Sequence, residues 1–251
     1  MVGNLVAVVA LVYLAVCAAL FFWQRTLIYF PQPRSDANLA PTMSLPTDAG
    51  SVLVTTRELV GADALIYFGG NAEDVAYNLP ALAKEFPDHA IYLLHYRGYG
   101  GSAGKPSEAA IVSDALMLFD TVQAVHQNIV IVGRSLGSGV AVRVASMRPV
   151  RRLVLVTPYD SIQELAARQF SYFPVRWLLQ DKFESWRYAP QVTAPTLLLA
   201  AEHDEVIPRA STEALLSRFG AGVASLKIVA GAGHNTISDD ASYMPLLRVA
   251  R

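Results

Sequence analysis

From Val2 to Trp23 the chain reads VGNLVAVVALVYLAVCAALFFW without one charged residue, a run of the length an α-helix needs to cross the hydrocarbon of a bilayer. Phe21, Phe22 and Trp23 border it and Arg25 follows at once, the aromatic-then-basic order of a membrane interface. The pattern predicts a transmembrane anchor over residues 1–24. A cleaved signal peptide would carry Lys or Arg ahead of a shorter apolar core, and no basic residue precedes this run. LAVC at 14–17 has the outline of a lipoprotein box, but Val16 stands where a small residue is wanted.

The stretch 25–50, rich in proline and turn residues, reads as a linker with one edge strand. From Ser51 the pattern alternates. Strand-like runs SVLVTTREL, ALIYF, AIYLLHY, NIVIV, RLVLVT, TLLLA and SLKIVAG are separated by helical segments: one through about Phe86, one from about Ser107 to His126, and others after Ser135, after Val156, after Pro208 and at the C-terminus. Strands separated by helices predict an α/β fold with a mostly parallel central sheet and helices on both faces. Active sites of such sheets lie at the carboxyl ends of the strands.

One interval breaks the rhythm. About 38 residues separate RLVLVT from TLLLA, more than one crossover helix requires. They hold SIQELAARQF, with Ser161 and Glu164 at capping-box spacing, and then FSYFPVRWLLQDKFESWRY. We read residues 158–195 as a small helical cap on a domain spanning 51–251. Its seven aromatics from Phe170 to Tyr188 suit either the roof of an apolar substrate site or packing of the cap onto the sheet.

Composition narrows the classes. A chain of 251 residues, 53% hydrophobic, with net charge -1 is long enough for one filled core and too neutral for a nucleic-acid partner. Its single cysteine, Cys17, lies in the anchor, so no intrachain disulfide is possible and the redox compartment stays open. There is no N-x-S/T sequon, which argues mildly against a glycosylated lumenal protein. Arg25 and Arg34 follow the anchor while no basic residue precedes it, a bias that places the domain on the cytoplasmic side.

The chemistry centres on IVIVGRSLGSGVA, 129–141. A G-x-S-x-G at the join of a buried strand and a helix lifts the serine hydroxyl off the sheet edge. Gly133 and Gly137 supply the lack of bulk such a bend demands. Ser135 is the candidate nucleophile, and the N–H of Leu136 at the helix start can donate to a developing oxyanion. A serine needs a histidine base and an orienting carboxylate. Downstream stand only His203 and His234, and His234 sits in the glycine-rich turn VAGAGHNT after the last strand. Asp204 follows directly on a strand in LLLAAEHDEVIP, with Glu202, Glu205 and Asp160 as alternatives. Asp160 also has a structural reading as a turn or helix-start residue. The order Ser135, Asp204, His234 is a known triad order. The backbone N–H of Asn71, in GGNAEDVAYN, is the candidate second oxyanion donor. HYRGYGGSAGKPSE mimics a dinucleotide fingerprint, yet Gly104, Lys105 and Pro106 prevent it from opening directly into a helix. No metal-ligand spacing appears.

Together these segments resemble the α/β-hydrolase superfamily, and within it the membrane-anchored serine hydrolases related to bud-emergence-type proteins and acyl-protein depalmitoylases. The resemblance rests on an anchor followed by LIYFP, then YFGGNAED, YRGYGGSAGKPSE, GRSLGSGVA, TPYDSI, DKFES, EHDEVIP and GAGHN in order. It implies a Ser135–Asp204–His234 triad, an oxyanion hole from the Leu136 and Asn71 N–H groups, and no cofactor or metal. Relatives carry His where Gly69 stands and Asp where His95 precedes Tyr96, the second departure changing charge near the site. The N-terminal cysteine cluster of some depalmitoylases is replaced here by the anchor. The expected activity is hydrolysis of carboxylic ester or thioester bonds of lipid or acyl substrates. A peptidase of the same mechanism and a non-catalytic membrane scaffold are the alternatives.

Overall fold

A computed structural model describes residues 2–34, 40–61 and 63–248. Its centre is an eight-stranded sheet built from β1 (Thr42–Thr47), β2 (Gly50–Arg57), β3 (Asp63–Phe68), β4 (Ala90–Leu94), β5 (Asn128–Arg134), β6 (Arg152–Val156), β7 (Thr196–His203) and β8 (Ala224–Gly233). The spatial order is β1-β2-β4-β3-β5-β6-β7-β8. The β1–β2 and β2–β4 pairs are antiparallel and every later pair is parallel, the mostly parallel sheet that the alternating pattern predicts.

Period-two alternation divides the core. Ile66, Phe68, Ile131, Leu153 and Leu155 point to one face, where α3 (Glu108–Gln123), α4 (Leu136–Ala145) and α8 (Arg209–Leu216) cover them. Leu65, Tyr67, Val130, Val132 and Val154 point to the other, against α2 (Leu79–Glu85) and α9 (Tyr243–Arg248). Both faces are buried, which is why β3 to β6 read as continuous apolar runs. Each fully buried large side chain contributes about 1.5–3 kcal/mol. α3 begins where the sequence predicts, with Ser107 Oγ accepting from the Ala110 N–H at 3.2 Å.

Two segments differ from their simple sequence readings. The apolar helix α1 (Val2–Ile28) continues past Trp23 and ends ahead of Pro31 and Pro33, which cannot extend it. Of the 25–50 stretch, residues 35–39 lie outside the described residues, and residues 42–47 form β1 at the edge of the sheet, the one edge strand expected there. The long helical stretch after β6 divides into α5 (Ile162–Gln169), α6 (Val175–Leu178) and α7 (Ser185–Tyr188). Pro174 immediately before α6 forces the break, because a proline cannot occupy a helix interior without losing a hydrogen bond and clashing with the preceding turn. Within the stretch read as a cap, Ser161 caps α5 by accepting from the Glu164 N–H at 3.0 Å.

Candidate active site

β5 delivers Ser135 to the carboxyl edge of the sheet, and α4 starts at the next residue. Ser135 has φ 47° and ψ -115°, a backbone region costly for a residue with a Cβ and retained only where surroundings hold it. Two close approaches do the holding. A Cβ on Gly137 would enter the Phe68 carbonyl, and one on Gly133 would meet the Gly137 carbonyl and Ala141, so both glycines let α4 lie directly on β3 and β5. The Ser135 N–H donates to the Val156 carbonyl at 2.9 Å, and its own carbonyl accepts from the Ser138 N–H and hydroxyl.

Two further strand ends bring the partners. His234 follows β8, and its Nε2 lies 3.0 Å from Ser135 Oγ. Asp204 follows β7, with both carboxylate oxygens 3.0 Å from His234 Nδ1. An ionised carboxylate only accepts, so the proton of the neutral imidazole sits on Nδ1, and Nε2 accepts from the serine hydroxyl. Burial raises the Asp204 carboxyl, but hydrogen bonds from His234 and from the Ile207 and Val206 N–H groups outweigh it and hold it below the usual carboxylate range. The alternative carboxylates have other partners: Glu202 accepts from the Gly231 N–H, Glu205 from the His234 N–H, and Asp160 from the Ser161 N–H and the Ser211 hydroxyl. His203 is exposed beside Glu202.

Asn71 lines one cavity with Ser135 and Leu136. Neither the Asn71 nor the Leu136 N–H meets an acceptor among the described residues. The loop carrying Asn71 is organised by Glu73, a residue whose role no motif marks. Its carboxylate accepts from the Gly70 N–H, the Tyr67 hydroxyl and the Asn78 amide. Tyr96 donates to the Gly69 carbonyl at 2.9 Å. A side chain on Gly69 would strike Val75, so the histidine of relatives has no room here. His95, standing where relatives carry Asp, lies buried against Thr55 Oγ1 at 2.8 Å. Burial lowers its pKa to about 4 and keeps it neutral.

The sequence also gave no warning that α1 would belong to this site. The Asn71 side chain donates to the Ile28 carbonyl and accepts from the Phe30 N–H and the Tyr99 hydroxyl. Asp181 accepts from Arg25 at 2.9 Å and from Tyr29 at 3.1 Å, while Glu108 accepts from the N–H groups of Lys182 and Phe183. The segments LIYFP, YFGGN, YRGYG and DKFES therefore meet at the end of α1. The glycine-rich YRGYG loop carries Tyr99, and its Arg97 pairs with Asp114 at 2.8 Å and Asp48 at 2.7 Å. The cavity above Ser135, about 310 Å³, is walled by α1 and by α5 and α6 and is apolar apart from Gln24, Asn71, Ser135 and Tyr159. Among the described residues no group of three or more His, Cys, Asp or Glu side chains is placed to hold a metal ion.

A hydroxyl, an imidazole and a carboxylate in one hydrogen-bonded line, beside two open N–H groups, can support acyl transfer. The chain matches the model of the alpha/beta hydrolase family over residues 59–191 and that of the serine aminopeptidase S33 family over 184–241. It is 32% identical over 249 residues to an uncharacterized protein of Mycobacterium tuberculosis, covering 92% of this chain and 87% of that one. It is 27% identical to protein bem46 of Schizosaccharomyces pombe, covering 75% and 72%. To the lysophosphatidylserine lipase ABHD12 of Xenopus tropicalis it is 30% identical, covering 73% of this chain and 55% of that protein. The fold matches the crystal structure of MGS-M2, an alpha/beta hydrolase enzyme from a Medee basin deep-sea metagenome library, with TM-score 0.66 and 13% identity over 82% of this chain and 95% of that one. From the sheet order, the strand-to-helix turn at Ser135 and these matches, the chain belongs to the alpha/beta hydrolase family.

Proposed function

We propose that the protein is a membrane-anchored serine hydrolase that cleaves carboxylic ester or thioester bonds of lipid or acyl substrates through an acyl-enzyme. The observation that carries this reading is the line from Ser135 Oγ through His234 to Asp204, each step 3.0 Å, at the foot of an apolar cavity. Ser135 Oγ attacks the acyl carbonyl carbon, and its proton passes to His234 Nε2. Asp204 holds the imidazole by Nδ1 and stabilises the imidazolium that forms. The carbonyl oxygen gathers charge between the N–H groups of Leu136 and Asn71, a contribution of about 3–4 kcal/mol per donor to the barrier in comparable sites. Collapse breaks the ester bond, and His234 returns the proton to the leaving alcohol or thiol. Water, deprotonated by His234, then attacks the acyl-enzyme and releases the acid and free Ser135.

Residues 1–24 anchor the chain, and 51–251 form the catalytic domain with its cap at 158–195; the 25–50 stretch between them contributes the end of α1 and the edge strand β1 to the same body. The domain faces the cytoplasm, on the side of Arg25 and Arg34; digestion by protease in inside-out vesicles without detergent tests this, and protection there would contradict it. The serine aminopeptidase match over 184–241 favours one second reading, a peptidase using the same residues. Rates on matched butyryl ester, butyryl thioester and aminoacyl anilide substrates separate the two. Ester or thioester turnover that vanishes in Ser135→Ala supports the hydrolase assignment, whereas aminoacyl turnover alone would replace it with the peptidase.

A further inference from the structure

α1 is exposed on all sides from Val2 to Val12 and then acquires a stripe on which Cys17 and Gln24 are buried and Leu20 is half-buried. The stripe packs on the cap. The Tyr13 hydroxyl donates to the Tyr172 carbonyl at 3.0 Å, and its ring stacks on Phe173 with centroids 5.8 Å apart and planes 3° from parallel. Gln24 donates to the Leu178 carbonyl and accepts from the Gln180 N–H. The part of α1 clear of the domain is therefore only about 16 Å long at 1.5 Å per residue, against a hydrocarbon core of about 30 Å. A spanning α1 must sink through about Phe21, and the segment packed beside it sinks as well. That segment has the surface for it: Tyr172 and Trp177 are 88% and 87% exposed, and Phe170 43%. Its one charge, Arg176, is paired with Glu164 at 2.9 Å on a side chain long enough to reach the headgroups.

The cavity continues the same line. From Ser135 and Asn71 it follows α1 from Ile28 to Leu20, about 12 Å of helix, past the level of the exposed Phe22 and Trp23. Leu27, Leu165, Phe173 and Leu178 line it, and the amide of Gln24 is consumed by its backbone partners. A volume of about 310 Å³ lies at the small end for ligand sites, which suits one acyl chain.

Resting on the serine-hydrolase reading of Ser135, we propose that the cap from Phe170 to Leu179 is immersed in the leaflet beside α1, so that the site is filled sideways from the bilayer by the single acyl chain of a membrane-resident ester. The ester carbonyl reaches Ser135 at the headgroup level while the chain never leaves an apolar environment, so its extraction into water is avoided.

The test uses full-length protein in phosphatidylcholine vesicles. In a Cys17→Ser background, a spin label is placed by Trp177→Cys or, as the control at the far end of α4, by Met147→Cys. Immersion makes the label at 177 collide more with dissolved oxygen than with a water-soluble nickel chelate, and the label at 147 shows the reverse. Equal, aqueous behaviour at both positions overturns the proposal. In parallel, the double variant Tyr172→Glu, Trp177→Glu should lose at least about tenfold in turnover of monooleoylglycerol carried in the vesicles. Its turnover of water-soluble p-nitrophenyl butyrate should stay within about twofold. Unchanged rates on both substrates also overturn the proposal, and if both fall together the label pattern alone decides. Wild type inert towards both substrates would defeat the Ser135 reading instead, without touching the immersion result.

Discussion

The floor of the site and its roof are held by different forces. The floor consists of the ends of β5, β7 and β8, fixed by parallel ladders, by glycine-to-backbone packing beneath Ser135 and by the multiple hydrogen bonds of Asp204. The roof consists of α1 and the short cap helices α5 and α6, held by apolar contact and by a few polar pins: Asn71 to Ile28, Asp181 to Arg25 and Tyr29, Glu108 to the cap backbone. The difference teaches a division of labour. On the proposed function, chemistry, which needs atoms fixed within a few tenths of an ångström, falls to the sheet, and substrate selection, which needs shape, falls to side chains from three separate segments.

The largest effects are expected at the floor. Ser135→Ala should reduce ester turnover by about 10⁴-fold or more while circular dichroism and melting temperature stay unchanged; residual turnover within tenfold of wild type would remove Ser135 from the chemistry. Gly137→Val, which drives a side chain into the Phe68 carbonyl, should destabilise by more than about 3 kcal/mol, read by urea unfolding of detergent-solubilised protein.

A pH titration sharpens the contrast away from the site. His95 is neutral in the folded protein with its pKa lowered to about 4, against about 6.5 unfolded. The unfolded chain thus binds more protons below pH 6.5, and stability present above that pH falls as pH drops towards 4. The loss is about 3 kcal/mol in total, and His95→Gln should remove most of that slope. An unchanged slope in the variant would assign the titration to other groups.

The pins between floor and roof give the smaller effects. Asn71→Ala frees the loop from α1 and Tyr99, and kcat on a short ester should fall about 10–100-fold through the displaced N–H, with little change in KM. A KM effect alone would make Asn71 a binding residue. Tyr29→Phe removes one hydrogen bond to Asp181 and leaves Arg25 in place; it should cost about 1 kcal/mol in stability, measured by thermal unfolding.

The same division explains what the chain discloses when read in order. Each strand of the sheet and the turn at Ser135 follow local rules: continuous apolar runs, glycines at a sharp bend, Ser107 and Ser161 at helix starts. The floor residues were therefore nameable from their positions after strands. The roof was legible only in part. A charge-free run at 2–23 signals membrane, but nothing local shows that Gln24 would bond the cap, that the Asn71 amide would cap α1, or that Glu73 would order the loop. The Gln24 and Asn71 contacts join residues 41 to 156 positions apart, and those of Glu73, only three to six positions away, lie in an irregular turn; no periodicity encodes either. The cap aromatics, left between two readings, divide: Phe183 is buried in the core, Phe170 and Phe173 line the cavity, and Tyr172 and Trp177 face outward.

By the proposed reading Ser135 is an activated nucleophile at the foot of a cavity partly built by α1. Labelling of the full-length, detergent-solubilised protein with a fluorophosphonate probe tests it most directly, because the probe reacts with an activated serine whatever the natural substrate. Wild type should label rapidly, Ser135→Ala not at all, and His234→Ala much more slowly. Folded wild type that does not react, or a Ser135→Ala variant that labels equally, would contradict it.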